Sequence, residues 1–250
     1  MTIPARKLLD RLRSRVNHLL DLDLVRTSGQ HTLRTHTMRI LEEYAIDTVI
    51  DVGANEGGYG SQLRSLGFKG EIYSFEPVLE AYEKLASQAA RDRKWTTFNL
   101  ALGAHRRRAT INVSRFSQLS SFLPASAYGS SHWENIVVEH SQEIEISTLE
   151  ECFRDQLLPA RSRCLLKMDT QGFDLEVFKG AGIFLPEVCC MLSELSLIPI
   201  YQGAPHYLEA LAAYERGGFS ASGFFPVTRN AELALNEVDC MMVNMRKRPG

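Results

Sequence analysis

The most constraining feature of this sequence is a short apolar run, TVIDV at residues 48–52, that breaks straight into a glycine-bearing turn, GANEGG at 53–58. A β-branched run with little polar alternation suits a strand buried on both faces. Glycines directly after it let the backbone turn sharply and approach a ligand with no Cβ in the way. Helical spacing at 59–66 is followed by a second strand-like run, EIYSF at 71–75, then a helix over 78–90 and a third run at 95–99. Further apolar runs at 164–168 (CLLKM) and 188–195 (VCCMLSEL) are interleaved with helical stretches near 174–180 and 206–216. This alternation predicts βαβ crossovers and a parallel sheet covered on both faces. The chain closes with two strand-like runs, 219–227 and 238–245, joined by a polar turn.

Outside this frame lie a helical lead-in and a polar middle. Residues 5–20 put Leu8, Leu9, Leu12, Val16, Leu19 and Leu20 on one helical face, amid Arg6, Lys7, Arg11, Arg13 and Arg15. Such a face packs on its own domain, on a partner subunit as in a homodimer, or on a membrane surface. A second helix is expected at 32–44. The organisation that follows is an N-terminal helical extension, 1–46, and a catalytic domain, 47–250. Within the latter, 104–151 carries strand-like pieces (ATINVSR, QEIEIST) around a Ser-rich polar stretch, 117–140. That stretch is too long for an ordinary connection and is expected to be a lid or binding loop.

Composition narrows the partners. With 44% hydrophobic and 23% charged residues the chain is an ordinary soluble globular protein, and its net charge of −2 gives no electrostatic case for nucleic acid. No apolar stretch approaches the ~20 residues that span a bilayer, so no transmembrane segment is expected. The five cysteines form no CxxC pair, which supports neither a zinc site nor a disulfide framework. Buried, reduced thiols in a cytoplasmic protein are the expectation.

The glycine turn and the strand after it suggest a nucleoside ligand. Glu76 follows the second strand about 20 residues beyond the turn, where an acidic residue takes the hydroxyls of a ribose. In the dinucleotide pattern G-x-G-x-x-G the position of Asn55 is glycine, whereas the glycines here are Gly53 and Gly57. Asp51, on the strand itself, can reach the amino group of a methionine moiety, and a pyrophosphate gives no reason for it. S-adenosylmethionine is therefore favoured over NAD. An NAD-dependent oxidoreductase and a catalytically idle cofactor-binding protein of the same fold are the alternatives.

Several ordered blocks resemble the FkbM family of methyltransferases: DVGANEGGY at 51–59, SFEP at 74–77, NLALG at 99–103, LSSF at 119–122, KMDTQGFDLEVFKGA at 167–181 and ELSLIPIYQG at 194–203. The resemblance runs from about residue 47 to 245. It implies a class I methyltransferase, Rossmann-like α/β fold, with a mostly parallel seven-stranded sheet ending in an antiparallel hairpin. It also implies O-methylation of a hydroxyl on a sugar, polyketide or related small molecule, and places Asn99, Ala101 and Leu102 towards the adenine. Gln171 stands where many members have Glu, and Phe122 where Leu is usual.

The site residues expected from all this fall into two sets. Asp51, Gly53, Asn55, Gly57, Tyr59, Glu76, Pro77, Asn99, Ala101, Leu102, Ser120 and Ser121 would hold the cofactor. Asp169 and Glu194, at the carboxyl ends of the fourth and fifth strands, would serve the acceptor hydroxyl as base or binding group. Asp169 has the competing role of capping the helix that follows. Lys167, a charge inside an apolar strand, must be paired, and Asp169 shares its strand face. His132 and His140 lie in the polar stretch and are the other candidate bases. No metal is expected, because the fourth strand's end offers a single carboxylate.

Overall fold

The computed structural model describes Val16, residues 32–160 and residues 162–247. Apart from Val16, the helix expected at 5–20 lies outside the described residues. The chain divides into two compact units, Met1–Arg39 and Ile40–Gly250, and both sheets belong to the second. A helix, α1 (Leu33–Glu43), corresponds to the one expected at 32–44.

Two strands set the frame. In β1 (Thr48–Val52) and β7 (Cys164–Met168) every residue is buried, as expected of central strands flanked on both faces. They pair in parallel, Thr48 with Cys164 through Val52 with Met168. On the other side of β1 lie β2 (Glu71–Phe75) and then β3 (Trp95–Phe98), also parallel. Beyond β7 come β8 (Val188–Ser196), β10 (Leu235–Asn244) and β9 (Phe219–Arg229), giving a seven-stranded order β3-β2-β1-β7-β8-β10-β9. Only β10 runs against its neighbours. This is the expected mostly parallel sheet with a closing antiparallel hairpin.

The helices form where apolar residues recur at helical spacing. In α3 (Leu79–Ala89), Ala81, Leu85 and Ala89 are the buried positions, four residues apart on one face. α2 (Gly58–Ser65) starts at the glycine turn and buries Gly60 and Leu63. The last helix before the hairpin (Tyr207–Arg216) begins after His206, whose side chain accepts from the Leu208 amide.

The middle of the chain differs from expectation. β4 (Ala101–Leu102), β5 (Arg107–Ser114) and β6 (Val138–Ser147) form a second, three-stranded sheet with β6 in the centre. The polar stretch expected at 117–140 therefore ends inside a strand. The segment between β5 and β6 is also partly regular: Ser117–Leu119 and Glu134–Ile136 are single 3₁₀ turns, and α4 (Ala127–His132) is capped by Ser126. The strand was hard to read because its first residues are exposed, and only Ile144 and Ile146 reach the core. A short helix, α5 (Leu149–Arg154), then leads to β7; α6 (Asp174–Lys179) follows β7, and the final helix is α7.

A charged pair is set inside this apolar frame. Lys167 of β7 is registered against Asp51 of β1, and its Nζ lies 2.9 Å from Asp51 Oδ1 and donates to the Gly53 carbonyl at 2.9 Å. Burial alone would lower the Lys167 pKa, but the Asp51 and Asp169 carboxylates outweigh it and hold it above the usual lysine range. Removing one member of a buried pair strands the other charge, at a cost of about 3–5 kcal/mol. Lys167→Met should therefore lose about that much stability in urea unfolding, and adding Asp51→Asn should recover part of it. A Lys167→Met protein as stable as the parent would contradict this role.

Candidate functional site

The turn after β1 is shaped by close backbone approach. Gly53 has φ +72°, and a Cβ there would lie 2.0 Å from the Asp169 carbonyl oxygen. The amides of Gly53 and Ala54 both donate to the Phe75 carbonyl at 3.0 Å, binding the turn to the end of β2. Asn55 also sits at positive φ (48°), a conformation Asn adopts more readily than most residues. Its side chain accepts from the Glu56 amide at 2.8 Å and donates to Ser117 Oγ at 2.9 Å. Gly57, at φ +91°, completes the turn and starts α2.

Glu76, just past β2, closes this structure from below. Its Oε2 accepts from the Asn55 amide at 2.8 Å and its Oε1 from the Val78 amide at 2.9 Å. The residue is 5% exposed. Burial pushes its carboxyl up to about 7, against the pull of those two amides. A carboxylate offers about four acceptor positions, so two remain for a vicinal diol. Asn99 donates its amide to the carbonyls of Glu76 and Pro77, both at 3.0 Å, and so fixes the turn that presents Glu76. The residues present thus fit a nucleoside ribose: a glycine turn that excludes side chains, and a buried carboxylate with unused acceptor capacity.

The second half of the site is the rim formed by the ends of β7 and β8. Asp169 is 43% exposed by side chain; its Oδ1 accepts from Gln171 Nε2 at 3.2 Å, and its Oδ2 lies 3.5 Å from Lys167 Nζ. The same Gln171 nitrogen donates to Glu194 Oε2 at 3.2 Å, so one amide links the two expected acceptor-side carboxylates. Burial first, and then Asp169 and the other nearby carboxylates, push the Glu194 carboxyl well up. The Tyr201 hydroxyl lies 2.9 Å from both Gln171 Oε1 and the Leu119 carbonyl oxygen, and its single proton serves one of them at a time. Ser121 donates to the Gln171 carbonyl at 2.8 Å. The β5–β6 segment is thus bonded to the rim at two points.

Each expected residue has a definite place. Gly53, Asn55, Gly57, Glu76 and Pro77 converge on the turn, and Asp169 and Glu194 on the rim. Asp51, expected to reach a methionine amino group, is fully buried with Lys167 on one oxygen and the Ser74 hydroxyl 3.4 Å from the other. Lys167, expected to pair with Asp169, has Asp51 as its nearer partner. Asp169 is not the cap of α6: the N-cap is Phe173, with no side-chain cap bond, and Asp174 in the first turn accepts from the Thr170 amide and from Ser193 Oγ, each at 2.8 Å. Ala101 and Leu102 are buried in β4 against β6. Ser120 accepts from the Ser114 amide at 3.1 Å, a local turn bond. His132 stacks on Tyr128 at 4.0 Å, on α4. His140 is exposed on β6.

Ser117, Tyr201 and Asp239 were not singled out from sequence. For Asp239 a signal existed: an acid inside an apolar strand, the same anomaly that marks Lys167. For Ser117 and Tyr201 there was none, since their contacts cross 62 and 82 positions of chain. Among the described residues no group of three or more His, Cys, Asp or Glu side chains could hold a metal ion. Among the same residues no helix is long and apolar enough to cross a membrane.

Residues 51–221 match the model of the methyltransferase FkbM domain. No curated protein sequence matches this one. Among solved structures, the chain is similar to fibrillarin of Aeropyrum pernix in complex with natively bound S-adenosyl-L-methionine, at 10% identity over 79% of this chain and 66% of that one, with a TM-score of 0.45. It thus spans just under two thirds of that fibrillarin. It is similar also to the methyltransferase domain of bacterial CtHen1 (10% identity, 86% and 97% covered, TM-score 0.48) and to an rRNA methylase from Streptococcus thermophilus (10%, 84% and 95%, 0.44).

The turn geometry is testable apart from any ligand. Gly53→Ala adds a Cβ against the Asp169 carbonyl and forces a left-handed alanine, so stability should fall by more than the ~1–2 kcal/mol of the left-handed strain alone. Unchanged urea unfolding would show that the turn has room that these distances deny.

Proposed function

The chain belongs to the FkbM methyltransferase family, and from that premise we propose that it transfers the methyl group of S-adenosylmethionine to a hydroxyl of a sugar, polyketide or related small molecule. The observation that carries the reading is Glu76: a buried carboxylate, bonded across the glycine turn, with acceptor capacity to spare. Catalysis is assigned to residues 47–250, with 1–46 as an accessory extension.

S-adenosylmethionine supplies an electrophilic methyl group on a sulfonium sulfur. Glu76 accepts the ribose hydroxyls, and the backbone of Gly53, Asn55 and Gly57 gives the nucleoside its close approach. Asn99 and Pro77 keep Glu76 in place rather than touching the ligand. Asp51 acts through Lys167, whose bond to the Gly53 carbonyl sets the turn. On the rim, Gln171 occupies Asp169 Oδ1, which leaves Oδ2 to orient the acceptor hydroxyl and take its proton. Glu194, its carboxyl pushed well up by burial and by the neighbouring carboxylates, hydrogen-bonds the acceptor. Holding the hydroxyl in line supplies much of the acceleration, up to about 7–11 kcal/mol in well-oriented systems. No structural observation favours the oxidoreductase alternative.

Two substitutions and one titration test this assignment. Glu76→Ala should weaken binding of S-adenosylhomocysteine by at least about tenfold in calorimetry; unchanged affinity removes the ribose role. Because the free Glu76 carboxyl titrates near 7, affinity should fall as pH drops through about 7, and Glu76→Gln should abolish that dependence. The sign for stability is opposite. A carboxyl raised from 4.5 to about 7 on folding disfavours the empty fold as pH rises across that interval. Asp169→Asn should cut methyl transfer about a hundredfold or more while leaving S-adenosylhomocysteine affinity within about twofold. Retained transfer would move the base elsewhere.

A further inference from the structure

The methyl-donor assignment leaves Asp239 and the Tyr59 hydroxyl without a role. Glu194 and Asp239 are paired directly across the β8–β10 ladder, so their side chains stand on one face of the sheet. Met168 is paired with Ser193 in the β7–β8 ladder, so Asp169, the next residue, comes opposite Glu194. Three adjacent strands thus deliver carboxylates to the same face at the strand spacing of about 4.8 Å, and β10 adds the buried Glu237 two positions from Asp239, where it accepts from the Thr228 hydroxyl at 3.1 Å. The nearest cation, Lys167, is committed to Asp51 and the Gly53 carbonyl and reaches Asp169 only at 3.5 Å. Asp239 has no hydrogen bond or ion pair among the described residues. Its burial, and then the neighbouring Asp169, push its carboxyl up to about 7.

An independent feature marks the same space. The Tyr59 hydroxyl, projecting from the first turn of α2, is sealed from solvent and has no hydrogen-bond partner. The charges that act on it are Asp51, Lys167 and Asp239. A buried hydroxyl is almost always bonded, so this one is aimed at a group that arrives with a ligand. The carboxylates do not converge on one point as metal ligands do. Spread over three strands, they suit an organic cation whose N–H bonds spread in several directions.

We propose that Asp239 and Glu194, with the Tyr59 hydroxyl, bind an ammonium group of the acceptor beside the Asp169 that takes the hydroxyl proton, so that the molecule methylated is an amino sugar or a similar amino-alcohol. The proposal rests on the methyltransferase reading. A protonated amine has no lone pair, so the ammonium is a handle, and a neighbouring hydroxyl is the atom that receives the methyl. Arrival of the cation favours the ionised carboxylates, and protons leave to solvent.

The test uses the full chain saturated with S-adenosylhomocysteine and titrated calorimetrically with glucosamine, N-acetylglucosamine and glucose. Glucosamine should bind at least about tenfold tighter than either neutral sugar. That preference should vanish in Asp239→Asn while the affinity for S-adenosylhomocysteine stays unchanged. Titrating the unsubstituted protein with glucosamine in two buffers of different ionisation enthalpy should show proton release, a readout independent of how the variant folds. Equal affinity for the three sugars, no binding of glucosamine, or its displacement by equimolar Mg²⁺ would each overturn the proposal. Failure to bind S-adenosylhomocysteine at all would instead remove the donor reading, and the proposal with it.

Discussion

The arrangement of the site depends on one buried ammonium. Lys167 reaches from β7 to Asp51 on β1 and to the carbonyl of Gly53, the first residue of the turn. It therefore joins the two central strands and holds the turn against the sheet. Asp169, two residues along the same strand face, is left at 3.5 Å from the same ammonium, close enough to be oriented and open enough to meet a substrate. A neutral side chain at 167 could pack between the strands, but it would leave Asp51 buried without a counter-charge and the turn without its anchor.

From that anchor the polar structure extends in two directions. Towards β2, the turn's amides meet the Phe75 carbonyl and the Glu76 carboxylate, so the half proposed for the nucleoside is built from backbone geometry and a single acidic side chain. Towards β8 and β10, the face carries Asp169, Glu194, Asp239 and Glu237, with Gln171 bridging the first two. Little positive charge is supplied locally, and burial together with the neighbouring carboxylates pushes the Glu194 and Asp239 carboxyls up. The segment between β5 and β6 covers this half through Ser121 and Tyr201, so the substrate side is roofed by chain that is bonded in place.

Much of this was legible in the sequence, for a physical reason. Strands buried on both faces cannot tolerate polar alternation, so TVIDV, EIYSF and CLLKM stand out and mark β1, β2 and β7 with the same ends in sequence and structure. Glu76 could be placed from its distance to the glycine turn, because one crossover helix fixes that spacing. The second sheet was harder to see: β6 buries only part of one face, and β4 is two residues long. The partner of Lys167 was taken from its own strand, where the period of two makes Asp169 a neighbour. The nearer partner, Asp51, depends on the register between β1 and β7, which lie more than a hundred residues apart in sequence. Asp239 escaped for the same reason, since only the β8–β10 register sets it beside Glu194.

The central claim is that the turn at 53–58 and the Glu76 carboxylate form a nucleoside site for a methyl donor. Calorimetric titration of the unsubstituted protein with S-adenosylhomocysteine, with NADH as control, tests it most directly. The account predicts saturable one-to-one binding of the former and none of the latter. Absence of heat from S-adenosylhomocysteine at about millimolar concentration, where even a weak site of about −4 kcal/mol would be half filled, would contradict it.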